Sequence, residues 1–261
     1  MKREALILVA SDTLRCVSNG SYKYNNKDVV LHNSRITSKL YRPLDEVHIK
    51  NTEKFATKIE VNDKTTLQAT FDLVKAGKSV CMLNFASARK PGGGFINGSV
   101  AQEESLARTS NLYKSLLTYT EMYEAGKSLR GLYSDYIGYS GNISFFKNDN
   151  AEYLPKPIYA NVITSAAVNI NAISKNETSM VDSTMKSRIN KILKIALDNN
   201  QYNLVLGAFG CGVFGNKPLH VANLFKEVLA DYENCFETVT FAVYDIKEGK
   251  PAYSAFKEIF G

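Results

Sequence analysis

The chain has 261 residues, a formal net charge of +6 and a hydrophobic fraction of 44%. These values are typical of a globular protein and exclude collagen, low-complexity disorder and a coiled-coil rod. The apolar runs are shorter than the roughly 20 residues that cross a bilayer, and the first residues lack the features of a secretory signal. We therefore expect no membrane association and a cytoplasmic location.

Charge is unevenly distributed along the sequence. Residues 1–130 carry a net charge of +7 and residues 131–261 a net charge of −1. This bias is compatible with an anionic partner or with an ordinary solvated surface. The sequence has no Lys/Arg-rich block of the kind found in nucleic-acid-binding arms, so we expect no sequence-specific nucleic-acid binding. The four cysteines and three histidines are widely separated. They lack the short spacing of a zinc site or a secreted disulfide framework, so we expect no metal, although a Cys–His pair assembled by the fold stays open.

The predicted elements begin with a helix over residues 1–20, where apolar residues recur at helical spacing. Residues 20–56 are polar and predict an irregular segment. Beyond them, five further helices are predicted, over residues 65–76, 102–117, 180–199, 218–229 and 252–259. Seven strands are predicted, over residues 58–61, 80–86, 133–139, 143–146, 157–164, 203–209 and 237–244. This alternation predicts an α/β fold with helices on both faces of a mixed sheet. We place one boundary near residue 56, between a mainly helical extension (1–56) and a core domain (57–261).

A glycine-rich loop lies late in the chain, between a predicted strand and a predicted helix. Gly210, Gly212 and Gly215 form a GxGxxG pattern, and this context favours binding of a diphosphate by backbone N–H groups. A tight strand-to-helix turn is the alternative. A Rossmann dinucleotide site is disfavoured for two reasons. Little chain follows the loop, and the acidic residue that such a site has ~20 residues after its glycines is missing, since Asp245 ends the next strand later than that.

A second glycine-rich loop comes earlier and is more informative. Gly92, Gly93 and Gly94 follow a buried strand and lead into Glu103 and Glu104 at the start of a helix. Consecutive glycines lose much conformational freedom on folding, so they indicate a tight curve or close contact with a ligand. Carboxylates are also favoured at any helix start, which is the alternative for the glutamates. Successive helical positions are about 100° apart, so one glutamate can face a cleft while its neighbour supports it.

The two loops are expected to share one crevice, because strand ends in an α/β sheet form the ligand site. Donors for a diphosphate would then face a pair of carboxylates. This combination suits cleavage of a glycosidic bond in a nucleoside-diphosphate sugar, which needs an acid on the leaving oxygen.

The GGG motif, its spacing to Gln102-Glu103-Glu104, and the later motifs GCGVFGN (210–216) and FAVYD (241–245) resemble the microbial-type poly(ADP-ribose) glycohydrolases. The resemblance covers most of the chain and implies a macrodomain-like core. It implies a hydrolase that releases ADP-ribose from poly(ADP-ribose), without a metal or cofactor. Its partners would be poly(ADP-ribose) or ADP-ribose and ADP-ribosylated proteins.

The resemblance also implies roles for individual residues. Glu104 would protonate the leaving 2′-oxygen and then activate water, and Glu103 would hold ribose hydroxyls. Tyr244 would stack on adenine. The full set of implied substrate-binding residues is Gly92, Gly93, Gly94, Gln102, Ser87, Asn169, Gly210, Cys211, Gly212, Val213, Phe214, Gly215 and Tyr244.

Several of these positions have a structural alternative. Phe214 could anchor its loop in the core, Phe241 competes with Tyr244 for the stacking role, Asn169 could form a turn, and Cys211 could be a small filler. Ser87 stands where many macrodomains have a ribose-binding Asn, and its hydroxyl can replace only part of the amide's bonding. Two other functions stay open at this point. One is a non-catalytic module that reads ADP-ribose, and the other is a Rossmann-type oxidoreductase that rests on GxGxxG alone.

Overall fold

A computed structural model describes residues 1–49 and 53–261. The strands are β1 (Ser21–Tyr24), β2 (Lys27–Val30), β3 (Thr37–Tyr41), β4 (Lys58–Asn62), β5 (Val80–Phe85), β6 (Ile137–Lys147), β7 (Tyr153–Ser165), β8 (Asn203–Leu206) and β9 (Thr238–Ala242). The helices are α1 (Arg3–Asn19), α2 (Thr66–Lys75), α3 (Gln102–Thr109), α4 (Leu112–Leu116), α5 (Thr120–Ser128), α6 (Val181–Asp198), α7 (Pro218–Leu229) and α8 (Pro251–Phe260). No helix in the described part of the chain combines the length and hydrophobicity of a membrane span.

Seven strands form one mixed sheet in the order β3-β6-β7-β5-β8-β9-β4. The strands from β7 to β4 pair in parallel, whereas β3, β6 and β7 pair antiparallel. Helices α6, α7 and α8 supply buried apolar residues to the core on one face, and α2, α4 and α5 supply them on the other. The predicted α/β fold with a mixed sheet between helices is therefore confirmed.

The N-terminal segment differs from the mainly helical extension that we predicted. Within residues 1–49 and 53–56 it contains one α-helix, α1, followed by the two-stranded β1–β2 hairpin, a short 3-10 helix (Asn33–Arg35) and then β3. Consecutive left-handed residues Asn25 (φ 48°) and Asn26 (φ 61°) make the hairpin turn, which suits asparagine. β3 joins the main sheet by pairing antiparallel with β6. The division of the chain at residue 56 stays a prediction.

Two further expectations need correction in the middle of the chain. The helix predicted over 102–117 is broken, because Ser110 is extended (φ −147°) and Asn111 bonds to the backbone of Ser144 on β6 through its own N–H and its Oδ1. The strands predicted over 133–139 and 143–146 are the single strand β6, which starts only at Ile137 and changes register between Ser140 and Ile143. The sequence analysis also missed α5.

Candidate active site

Four loops meet at one edge of the sheet. They follow β7, β5, β8 and β9, which are neighbours and run parallel, so their carboxyl ends point the same way. The ring of Phe85, at the end of β5, lies 5.8 Å from the ring of Phe209 in the loop after β8. Gly207 is needed here, because a Cβ on it would lie 2.5 Å from the Ala242 carbonyl oxygen at the end of β9. The ends of β5, β8 and β9 are therefore in contact, and a crevice shared by the two glycine-rich loops stays a prediction.

The side-chain amide of Gln102 attaches the start of α3 to β5. Its Oε1 accepts from the Phe85 N–H at 2.8 Å, and its Nε2 donates to the Leu83 carbonyl at 2.7 Å and to Thr66 Oγ1 at 3.1 Å. Both amide protons are therefore engaged within the protein. These contacts position the two glutamates that follow Gln102, and contact of Gln102 with substrate stays a prediction.

Glu103 is buried, with 2% of its surface exposed. Its Oε2 accepts from the Ser87 N–H at 2.6 Å, and its Oε1 accepts from Asn84 Nδ2 at 3.3 Å. Burial raises the pKa of the Glu103 carboxyl to about 8; the Ser87 and Asn84 bonds oppose this rise, and the nearby Glu104 charge adds to it. Burial therefore favours the neutral form of the Glu103 carboxyl, which can donate as well as accept.

Glu104 lies against the triple glycine. Its Oε1 accepts from the Gly94 N–H at 3.0 Å. Gly93 is left-handed (φ +57°), and a Cβ on it would lie 2.5 Å from Glu104 Oε1 and 3.3 Å from Glu103 Oε2. Only glycine leaves room for both carboxylates at this point. Glu104 Oε2 makes no hydrogen bond within residues 1–49 and 53–261, so this oxygen is free to meet a ligand.

The loop after β8 presents backbone donors. Gly210 and Gly215 are left-handed (φ +76° and +77°), and a Cβ on either would collide with the neighbouring loop, at Ala167 (2.6 Å) or Asn171 (2.7 Å). A Cβ on Gly212 would meet nothing within 4 Å, so this residue faces open space. Within the described residues, the N–H groups of 212–214 donate to no protein acceptor. Such consecutive free N–H groups form an anion-binding concavity.

The half-buried Phe214 stands beside residues from two other loops. Its ring lies 5.7 Å from the ring of Tyr133, and its carbonyl accepts from the Ile170 N–H at 3.0 Å. Asn169 donates to Tyr133 Oη at 3.3 Å, while its Oδ1 accepts from the Asn171 N–H at 3.1 Å and closes a turn. The turn-forming alternative for Asn169 is therefore confirmed, and its contact with a ligand stays a prediction.

The remaining predicted binding residues divide by exposure. Phe241 is fully buried among the rings of α7 and α8. Tyr244 lies two residues beyond β9 and is 62% exposed, so its ring is accessible, and its stacking on adenine stays a prediction. Val213 is 82% exposed, and Cys211 is half-buried with a thiol whose pKa burial raises to about 12. Ser87 Oγ accepts from the backbone N–H groups of residues 89 and 90 at 3.3 Å, which leaves its proton free to donate.

Sequence reasoning missed four residues that surround the glutamates and Phe214. Asn84 was visible as the one amide within an apolar strand, and its buried Oδ1 has no partner among the described residues. Tyr123 is buried beside Glu103, and its hydroxyl likewise has no partner in the described ranges. Tyr133 is a left-handed non-glycine residue (φ 56°), and Arg108 is only 4% exposed one helical turn after Glu104. The last three carry no local sequence signal, because only the fold brings them to the site.

Comparison with known proteins shows the family of the chain. Residues 10–148 match the family model described as the microbial-type PARG catalytic domain, where PARG is poly(ADP-ribose) glycohydrolase. The chain belongs to the microbial-type poly(ADP-ribose) glycohydrolase family. A comparison with curated proteins gave no match.

Two solved structures of this glycohydrolase family illustrate the similarity. The enzyme of Thermomonospora curvata, bound to the inhibitor ADP-HPD, is 35% identical with a TM-score of 0.89, over 98% of this chain and 99% of that one. The enzyme of Deinococcus radiodurans, in complex with ADP-ribose, is 38% identical with a TM-score of 0.80, over 85% of this chain and 93% of that one. The resemblance inferred from the sequence motifs is therefore confirmed at the level of the family.

Proposed function

We propose that this chain hydrolyses the ribose–ribose O-glycosidic bonds of poly(ADP-ribose) and releases ADP-ribose, with Glu104 as the general acid and base. The observation that carries the proposal is the pair of buried glutamates beside the left-handed Gly93. The N–H groups of 212–214, which are free among the described residues, lie in the loop after β8, the strand next to β5. Family membership and the ADP-ribose complex of the Deinococcus radiodurans relative support the same substrate class.

The assignment of roles to the two glutamates follows from their surroundings. Both oxygens of Glu103 are held by the protein, so this residue is suited to orient ribose hydroxyls. Glu104 is 9% exposed and uses only Oε1 within the protein, so its Oε2 is placed to meet the reacting oxygen. We therefore assign the proton transfers to Glu104.

The reaction then proceeds in two proton transfers on one carboxyl. Protonated Glu104 gives its proton to the 2′-oxygen as the C1″–O bond breaks, which lets the leaving ribose depart as a neutral alcohol. The ribose left behind has an oxocarbenium-like character. The Glu104 carboxylate next accepts a proton from the water that attacks C1″, which restores the acid and forms the new hydroxyl.

The other loops would bind the rest of the substrate. We assign the diphosphate to the N–H groups of Gly212, Val213 and Phe214, and adenine to the exposed ring of Tyr244. The half-buried Phe214 ring would pack on ribose. An uncharged ligand of the same shape would gain little from the free N–H groups, so this loop favours a diphosphate.

Labelled poly(ADP-ribose) incubated with purified protein tests the proposal. We expect release of ADP-ribose by the unchanged chain and a loss of turnover by about a thousandfold or more in Glu104→Gln, because an amide cannot act as a general acid. Calorimetry should show that Glu104→Gln still binds ADP-ribose. Glu227→Gln, a surface change on α7, is the matched control. Retained turnover in Glu104→Gln would refute the role of Glu104, and binding without any turnover by the unchanged chain would identify an ADP-ribose reader.

A further inference from the structure

Gly94, whose N–H group binds the Glu104 carboxylate, is held in place by a chain of further hydrogen bonds. The Gly94 carbonyl accepts from the Ser99 N–H at 3.1 Å, and the Ser99 carbonyl accepts from Arg108 Nη1 at 2.6 Å. Arg108 and Glu104 are four residues apart on α3 and therefore lie on the same helical face. The bonds form a closed ring from Glu104 through Gly94 and Ser99 to Arg108 and back along the helix.

The residues of this ring are closely packed, so they have little room to move. A Cβ on Gly94 would lie 2.3 Å from Ser99 Oγ, so these two residues are already in close contact. Arg108 is only 4% exposed, and its own carbonyl accepts from Thr13 Oγ1 of α1 at 2.5 Å. The Arg108 backbone is therefore held by α1, and its guanidinium by burial and by the Ser99 carbonyl.

The charge of Arg108 is balanced within the same neighbourhood. Burial lowers the pKa of the Arg108 guanidinium, and the Glu104 carboxylate opposes that change. No ion pair within 4.0 Å joins Arg108 to Glu104 among the described residues. Arg108 and Glu104 are thus connected by the backbone of α3 and by the hydrogen-bonded path through Ser99 and Gly94.

We propose that Arg108 is a positioning residue for catalysis: by holding the Ser99 carbonyl it aims the Gly94 N–H at Glu104 and fixes the carboxyl that transfers the proton. This inference rests on the proposed function, since it assigns the proton transfer to Glu104. The proposal predicts slower turnover with little change in ADP-ribose binding, because Arg108 is buried beneath the loop of Gly94 and Ser99 and does not line the expected substrate site.

Arg108→Met removes the donor at similar side-chain length, and Arg108→Lys keeps a charge and one donor. For Arg108→Met we expect kcat on poly(ADP-ribose) to fall about tenfold or more, since a hydrogen bond from a charged group is lost, while the Kd for ADP-ribose stays within threefold. The Gly94 amide proton should exchange with solvent faster, as measured by NMR, and Arg108→Lys should recover part of both effects.

Arg188→Met is the matched control, because Arg188 is a second arginine (1% exposed) that binds backbone carbonyls, at Leu132 and Ala166. It should lower the Tm without changing Gly94 exchange. Unchanged kcat or unchanged Gly94 exchange in a folded Arg108→Met would overturn the proposal. If Arg108→Met does not fold, the same two readouts on Arg108→Lys decide, and a lowered kcat with unaltered Gly94 exchange refutes it. Failure of the proposed function would appear separately, as absent turnover by the unchanged chain, and the exchange measurement does not depend on turnover.

Discussion

Replacing Gly93 by alanine places a methyl group where the Glu104 carboxylate now lies. The added Cβ would be 2.5 Å from Glu104 Oε1 and 2.9 Å from its Cδ, whereas ordinary contacts begin near 3.4 Å. The carboxyl must therefore withdraw by about 1 Å, a displacement that costs on the order of a hundredfold in rate when it misplaces a reacting group. We expect kcat to fall by about that factor.

The same substitution also strains the backbone, because Gly93 is left-handed (φ +57°). Alanine in this region costs about 1–2 kcal/mol. Gly77→Ala separates the two effects, since Gly77 is left-handed too (φ +81°) but a Cβ there would meet nothing within 4 Å. It follows α2, away from the crevice.

Both variants should lose a similar free energy of unfolding in urea, and only Gly93→Ala should lose turnover in the labelled-polymer assay. ADP-ribose binding by calorimetry then shows whether the crevice still accepts ligand. Equal kcat values for Gly93→Ala and Gly77→Ala would show that the contact with Glu104 does not control the rate, and the reasoning would be wrong.

Three further predictions concern pH, stacking and salt. Since the Glu103 pKa is raised from 4.5 to about 8, its contribution to stability is present below pH 4.5 and is lost as pH rises through about 8. The free energy of unfolding in urea should therefore fall less steeply with pH in Glu103→Gln than in the unchanged chain. The same dependence on pH in both would contradict a buried acid at Glu103. Tyr244→Ala should weaken ADP-ribose binding about tenfold with unchanged Tm, whereas Phe241→Ala, at a fully buried ring, should cost about 3–5 kcal/mol of stability. Weaker binding in Phe241→Ala together with a lower Tm in Tyr244→Ala would show that Phe241 stacks on the ligand and Tyr244 supports the fold. The KM for polymer should rise with added salt at constant kcat if the +7 charge of residues 1–130 aids capture of a polyanion, and a salt-independent KM would rule this out.

Much of the fold was predictable because local patterns decided it. The helix that ends two residues before Gly77 and the helix that starts at Pro218 carry their own boundary signals. The break between α3 and α4 was not predictable, because Ser110 and Asn111 leave the helix to bond with β6, some 35 residues later. Likewise β3 looked polar and irregular, since it is an edge strand whose exposed residues need not be apolar.

The site was predictable where chemistry leaves a motif in the sequence. The glycine triplet and Glu103-Glu104 are adjacent in space because the loop between them is short, so the pattern of glycines and carboxylates was enough to group them, whereas their roles came from the family resemblance. Tyr133 and Arg108 could not be found in this way. Tyr133 reaches Phe214 only after the chain crosses the sheet, and Arg108 looks like any helical arginine until the bond to Ser99 is seen.

The pairing of β3 with β6 has a consequence for proteolysis and truncation. A chain that begins at residue 57 would leave β6 as an open sheet edge, which is a template for association with other molecules. It would also uncover Phe95 and Ala107, which α1 buries through Ala10. We therefore expect fragments of this protein that lack α1 and β3 after proteolysis to self-associate. The smallest fragment that does not aggregate should retain both elements.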